Sequence, residues 1–228
     1  MSDTAEPTKA RPIIFSRDAI PAILDGRKTQ TRRVIRHAPF RDEIGCAPWC
    51  WRRTKRASLR RKTEAELLRA MTPFCPYGAP GGGLWVRETF AVAWTEYEPC
   101  REDGQTDLDV PHRVEYRADT GDRHPGGWPD DAGDDADCPR WRPSIYMPRW
   151  ASRISLTILD VRVQRIHDIT EADILAEGCP RSVALADRLA WFRALWDSLN
   201  AKRGGGWSAN PWVWALECRR VTKETTND

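Results

Sequence analysis

No run of apolar residues approaches the roughly 18 to 20 positions that a membrane-spanning helix requires. The opening residues, MSDTAEPTKARP, hold no apolar core of the kind a secretory signal needs. Both absences point to a cytoplasmic protein with no membrane contact. Paired CxxC spacing is also missing. The cysteines number seven, an odd count, so a secreted disulfide framework is not expected. Cys46, Cys50, Cys75 and a histidine such as His37 could in principle hold zinc, but scattered reduced thiols are the simpler reading, and no metal is expected. The chain lacks GxGxxG, P-loop and GxSxG motifs, and it shows no internal repeat. Nor does it carry a large charge of one sign, because 36 basic residues face 33 acidic ones.

What is present is an ordinary globular composition over 228 residues, 40% of them apolar, with 12 tryptophans. That rules out whole-chain disorder and allows a sizeable core. The small net charge conceals an asymmetry. Residues 1–72 carry 17 basic and 8 acidic side chains, residues 73–147 carry 7 and 15, and residues 148–228 carry 12 and 10. The densest basic run lies in 52–62 (Arg52, Arg53, Lys55, Arg56, Arg60, Arg61, Lys62), close to Trp49 and Trp51. That composition suits phosphate contact and base stacking, though a solvated face is the plainer alternative. The acidic run Asp130, Asp131, Asp134, Asp135 and Asp137 sits among Gly and Pro and reads as a surface loop.

Along the chain, Pro12 to Phe15 reads as a short strand. Ser16 follows as a cap for a short helix that carries Ile20, Ile23 and Leu24 and ends at Gly26. Residues 38–72 read as a basic insertion and 97–144 as an acidic, Gly/Pro-rich one, the latter with a strand around Val114 and Tyr116. Leu84 to Phe90 alternates as a strand. Ile154 to Ile166 reads as one long or bulged strand. Thr170 and Asp173 form a capping box for a short helix that stops at Gly178. A second helix over about Ala184 to Leu199 presents Leu185, Leu189, Phe192, Leu195, Trp196 and Leu199 as a core stripe. A glycine-rich loop then leads to a final strand from Trp212 to Val221. Short strands among a few short helices indicate an α+β protein, either a small β-barrel or a curved sheet with flanking helices, read as a single domain over 1–228.

The segment from Gly26 to Arg33 places Lys28 three residues from Thr31 and close to Arg27, Arg32 and Arg33. A lysine serves as a base near neutral pH only when burial or neighbouring cations lower its pKa, and the alternative is a basic loop for phosphate. Gly26, Lys28, Thr31 and Arg33 fill the pattern G-x-K-x-x-[E or T]-x-R, the signature loop of the ASCH domains of the PUA-like superfamily. The resemblance continues through Gly83 to Phe90, Met147 to Ile154, Ala176-Glu177-Gly178, Phe192 to Trp196 and Asn210 to Trp214, and it skips both insertions. These stretches are similar to those of the long ASCH proteins of bacteriophages and prophages, for which the location would be the host cytoplasm.

The resemblance implies a PUA-like small β-barrel with helices at its mouth and a cleft for RNA or a nucleoside. It also implies hydrolysis of N4-acetylcytidine, which small bacterial members perform with a lysine, a threonine and a glutamate. Matched position by position, these are Lys28, Thr31 and Glu177, and threonine rather than glutamate at position 31 favours the hydrolytic subgroup. No cofactor is implied. The remaining candidates for binding are Arg27, Arg32, Arg33, Trp85, Glu88, Trp207 and Asn210. Glu88 lies either in the barrel mouth or in an ion pair with Arg87 or Arg33. Trp150, Trp212 and Trp214 are further tryptophans that either stack a base or pack. Trp207, after three glycines, is expected to be the best exposed of these aromatics, and Asn210 either reads a base edge or caps the turn before Pro211. The competing readings are a non-catalytic RNA or modified-nucleic-acid reader and a ribonuclease built on the same basic cleft.

Overall fold

The computed structural model describes residues 10–35, 71–94, 112–127 and 139–221. The basic run 52–62, the acidic run 130–137, His37, Cys46 and Cys50 lie outside the described residues. The architecture is mixed α+β. Its strands are β1 (Arg11–Ile14), β2 (Gln30–Val34), β3 (Gly83–Arg87), β4 (Phe90–Trp94), β5 (His112–Tyr116), β6 (Ser155–Arg165) and β7 (Trp212–Arg220). Its helices are α1 (Ala19–Leu24), α2 (Arg117–Thr120), α3 (Glu171–Ala176) and α4 (Arg188–Asn200), joined by short 3-10 turns.

Five strands form one sheet in the order β1-β3-β6-β7-β2, and β4 pairs with β5 in a separate ribbon. The expected closure into a barrel is not seen among the described residues. The sheet ends at β1 and β2, which are only 4 and 5 residues long. The long strands carry its centre. β6 and β7 pair antiparallel, with a register shift between Ile158 and Asp160 that leaves Leu159 exposed. This is the bulge expected from the break in alternation at Leu159-Asp160.

The chain divides into two units by packing. Among the described residues, the first contains 10–11, 22–35, 71–84 and 155–221, and the second contains 12–21, 85–94, 112–127 and 139–154. In the first unit, α3 and α4 pack with Val213 and Ile166 into an apolar cluster centred on Phe192 and Trp196. The stripe expected on α4 is narrower than its sequence suggests. Phe192 and Trp196 are buried, but Leu185, Leu189 and Leu199 are exposed. That face is covered only over its middle, so Leu189 and Leu199 towards the helix ends meet solvent, and Leu185 lies in the 3-10 turn that precedes the helix. In the second unit, Phe90, Met147 and Ala151 form a small core, with Val92, Val114 and Tyr116 packed against it.

Candidate active site

The loop before β2 is fixed at three points. Lys28 N donates to Ala22 O at 2.8 Å, Thr29 N donates to Ala176 O at 2.8 Å, and Cys218 N donates to Thr29 O at 2.7 Å. An isolated antiparallel bridge joins Lys28 to Glu177. The backbone of the loop is therefore tied to α1, to the end of α3 and to β7 at once.

Glu177 is positioned by the way α3 begins and ends. At the start, Thr170 and Asp173 cap each other: Asp173 N donates to Thr170 Oγ1 at 3.2 Å, and Thr170 N donates to Asp173 Oδ2 at 3.1 Å. At the end, Gly178 N donates to Leu175 O and Cys179 N to Ile174 O, the paired closing bonds of a Schellman turn. Glu177 is the last residue with helical geometry, and Gly178 takes φ 96°. A side chain at 178 would be strained in that backbone, and its Cβ would lie 3.1 Å from Lys28 Cβ and 3.2 Å from Ala22 Cβ. Glycine here lets the end of α3 close directly onto Lys28.

The result is a buried charge cluster. Lys28 Nζ lies 2.5 Å from Glu177 Oε2 and also donates to Glu177 O at 2.8 Å. Arg32 Nη1 donates to the other carboxylate oxygen, Glu177 Oε1, at 3.0 Å, and Arg32 Nη2 lies 3.0 Å from Asp173 Oδ2. Arg162 Nη2 reaches Asp173 Oδ1 at 3.2 Å from the partly exposed side. The Arg32 side chain is fully buried, and those of Lys28, Glu177 and Asp173 are less than a tenth exposed. Charges this deep persist only when paired, and here every one has a partner of opposite sign, although Arg32 Nε and Nη2 make no hydrogen bond and Nη2 meets Asp173 by charge alone.

Burial pushes the Asp173 carboxyl upward, but the Thr170 backbone N–H and the Arg32 charge outweigh it and hold the pKa down to about 2, from an ordinary 3.8. A carboxylate with a depressed folded-state pKa stabilises the fold above its unfolded value and loses that contribution as pH falls toward the folded one. The contribution is on the order of 2 kcal/mol above about pH 4. Acid unfolding is therefore expected to steepen between about pH 4 and pH 2. Asp173→Asn should flatten that limb of a stability-versus-pH curve measured by urea denaturation, and an unchanged acid limb would contradict this role.

The register of β2 on β7 sorts the remaining residues of the loop. Thr31 pairs with Leu216, Arg33 with Trp214 and Arg32 with Ala215. Directly paired residues in an antiparallel ladder project to the same face. Arg32 therefore shares the α3/α4 face with Val34 and Val213, which pack in the helical cluster. Thr31, which is buried, and Arg33 share the opposite face with Leu216, Trp214 and Cys218.

Lys28 and Glu177 are felt on that face too. Burial lowers the Arg33 pKa, while the charges of Tyr77 and Glu177 act to raise it. The Cys218 thiol is pushed up to about 12 by burial, with the Lys28 charge pulling the other way. Cys218 is therefore a protonated thiol and not a nucleophile.

The structure thus joins Lys28 and Glu177 directly, with Thr31 on the face of the sheet that also carries Cys218. Arg27 is exposed, 3.1 Å from Asp25, and its Nη1 donates to Gly178 O at 3.4 Å. Trp207 is half-buried rather than displayed: its backbone N–H donates to Asp197 Oδ1 at 2.6 Å, and its ring packs on His167, with centroids 4.6 Å apart, and on Phe192. Asn210 adopts a left-handed conformation (φ 41°) and caps the turn, accepting from His167 N through Oδ1 and from Arg165 Nη1 through its carbonyl. Trp212 and Trp214 are buried.

Trp85 and Glu88 belong to the second unit. Trp85 is buried, with the Arg87 guanidinium 4.7 Å from its ring centroid. Glu88, 2% exposed, is gripped by both ends of Arg153 at 3.0 Å, so its ion-pair partner is Arg153 rather than Arg87 or Arg33. Arg153 also binds Asp119 and lies over the Tyr116 ring. Burial raises the Glu88 pKa in spite of Arg153, whereas Arg153, despite its own burial, is raised by its two carboxylate partners. The shifts are unequal because Arg153 has two anions and Glu88 one cation, and Glu88 is far the more buried.

Sequence reasoning missed Asp173 as a charge partner, having read it only as a cap, and missed Arg162 and Arg153. The alternating polar positions of β6 were the signal for Arg162. Among the described residues no group of His, Cys, Asp and Glu is arranged to hold a metal ion. No helix among them is long and apolar enough to cross a membrane. Comparison with protein-family models, curated proteins and solved structures finds no significant match to this chain.

Proposed function

We propose that this protein is an amidohydrolase of ASCH type, with a PUA-like fold, that removes the acyl group from an N4-acylated cytidine. The observation that carries the reading is the buried contact of 2.5 Å between Lys28 and Glu177, two residues far apart in sequence that the fold brings into one cluster.

Hydrolysis of an exocyclic amide needs a nucleophile, a group to take its proton, and a proton for the departing amine. Both described hydrogen bonds of Lys28 Nζ go to Glu177. In this scheme Glu177 is the group that accepts the proton of Lys28 when substrate enters. Thr31 lies on the other face of the sheet from Arg32 and makes no described hydrogen bond to Lys28, so the scheme needs a water to carry its hydroxyl proton to the neutral amine as Thr31 Oγ1 bonds to the acyl carbon. The carbon–N4 bond breaks as N4 receives a proton from the Lys28–Glu177 couple. Water, deprotonated by the same couple, attacks the Thr31 ester; the carbon–Oγ1 bond breaks, Thr31 Oγ1 takes back a proton from the couple, and the carboxylic acid is released. Arg33, on the Thr31 face, is assigned to steady the developing oxyanion. Arg32 does not reach substrate in this scheme; it is a positioning residue that fixes the second oxygen of Glu177.

The test is incubation of purified protein with N4-acetylcytidine, followed by chromatography. The expected products are equimolar cytidine and acetate from the wild type and none from Thr31→Ala. If well-folded wild-type protein released neither, the amidohydrolase reading would be discarded.

A further inference from the structure

The second unit carries a segment whose character the proposed chemistry does not use. Residues 139–154 contain Arg140, Arg142, Arg149 and Arg153 and no acidic residue. Within it Ile145 is 59% exposed, Tyr146 72% and Trp150 66%. Large apolar side chains exposed within one short segment are a feature of interaction sites.

These rings are on a rigid support. Met147, fully buried, anchors the segment between them, and its Sδ accepts from Glu88 N. Two successive 3-10 turns, Ser144–Tyr146 and Arg149–Ala151, fix the backbone. Arg142 pairs with Phe90 through both backbone groups, at 2.7 and 3.2 Å. Ser152 Oγ donates to Val86 O at 2.8 Å, and Arg87 Nη1 donates to Ile145 O at 3.2 Å. The buried Trp85 ring holds the guanidinium groups of Arg87 and Arg149 at 4.7 and 5.8 Å from its centroid, so both cations are pre-positioned beside the exposed residues.

We propose that this surface binds single-stranded nucleic acid, with Tyr146 and Trp150 as stacking platforms and Arg142 and Arg149 on the phosphates. Aromatic rings interleaved with arginines, on a segment whose own sequence holds no carboxylate, are what a sequence-tolerant single-strand site requires, because every base has a face to stack and every nucleotide a phosphate. Three exposed apolar side chains are too few for a stable protein interface, which needs about 800 Å² from each partner. The proposal does not depend on the roles given to Lys28 and Glu177.

The test uses the full chain and fluorescence anisotropy with labelled 12-nucleotide U and T single strands and a 12-base-pair duplex, each over a salt series. The single strands are expected to bind more tightly than the duplex. The Tyr146→Ala/Trp150→Ala double variant, which removes only exposed side chains, is expected to weaken single-strand binding at least tenfold. Arg142→Gln/Arg149→Gln should reduce the slope of log affinity against log salt by about 1.4, at about 0.7 for each phosphate contact on a single strand. Three results would overturn the proposal: no single-strand binding, binding unchanged in the aromatic variant, or a change in sedimentation instead of oligonucleotide affinity, which would make the surface a contact between copies of the chain. Preference between the U and T strands then decides whether the natural ligand is RNA or DNA.

Discussion

Lys28→Met is expected to lower kcat/KM for N4-acetylcytidine by about 10² to 10⁴, the range in which a positioned acid–base group contributes. Methionine keeps the length and most of the volume of the lysine stem, so the packing against Gly178 and Ala22 is preserved while the ammonium is lost. Glu177 would still be bound by Arg32 at 3.0 Å, which limits the cost of leaving its carboxylate buried. The fall should appear in kcat rather than KM, because the proton is moved in the transition state and not on binding. A variant with native far- and near-ultraviolet circular dichroism but wild-type kcat would remove Lys28 from the chemistry.

The largest expected effect on stability is at Arg32. Its side chain is fully buried between Asp173 and Glu177, so Arg32→Met would strand two carboxylates that retain only Lys28 and Arg162. Removing one member of a buried ion cluster costs about 3 to 5 kcal/mol. For a chain of this size that corresponds to a fall in Tm of roughly 10 °C. Arg32→Lys should recover only part of the loss, because an ammonium cannot address two carboxylates as a planar fork does. Thermal or denaturant unfolding checks both, and a drop of less than about 1 kcal/mol would show that the cluster relaxes or admits water instead of depending on Arg32.

The parts of the fold and of the site that depend on neighbours in sequence could be read before the fold was known. The Thr170–Asp173 cap, the stop at Gly178, the bulge near Leu159 and the strand around Val114 each rest on chemistry within a few residues. The charge partners could not be read in this way. Arg32 meets Asp173 and Glu177, and Glu88 meets Arg153, only because separate elements converge, and no local pattern distinguishes a buried arginine from a solvated one.

Trp207 shows the opposite error. Three preceding glycines suggest display, yet Gly205 lies against Val34, and Asp197 and His167 draw the following turn inward. On α4, Leu189 and Leu199 keep helical spacing with Phe192 and Trp196 but are about half exposed. Periodicity indicates which residues share a face, not how wide a face the rest of the protein covers.

The central claim is that Lys28 and Glu177 act as one proton-transfer unit, and a double-mutant cycle on N4-acetylcytidine hydrolysis tests it most directly. Lys28→Met, Glu177→Gln and the double variant should lose activity to a similar extent, since removing either partner already disables the couple. Losses that multiply in the double variant, or a Glu177→Gln protein that retains wild-type kcat, would show that the two residues act independently and would contradict the account.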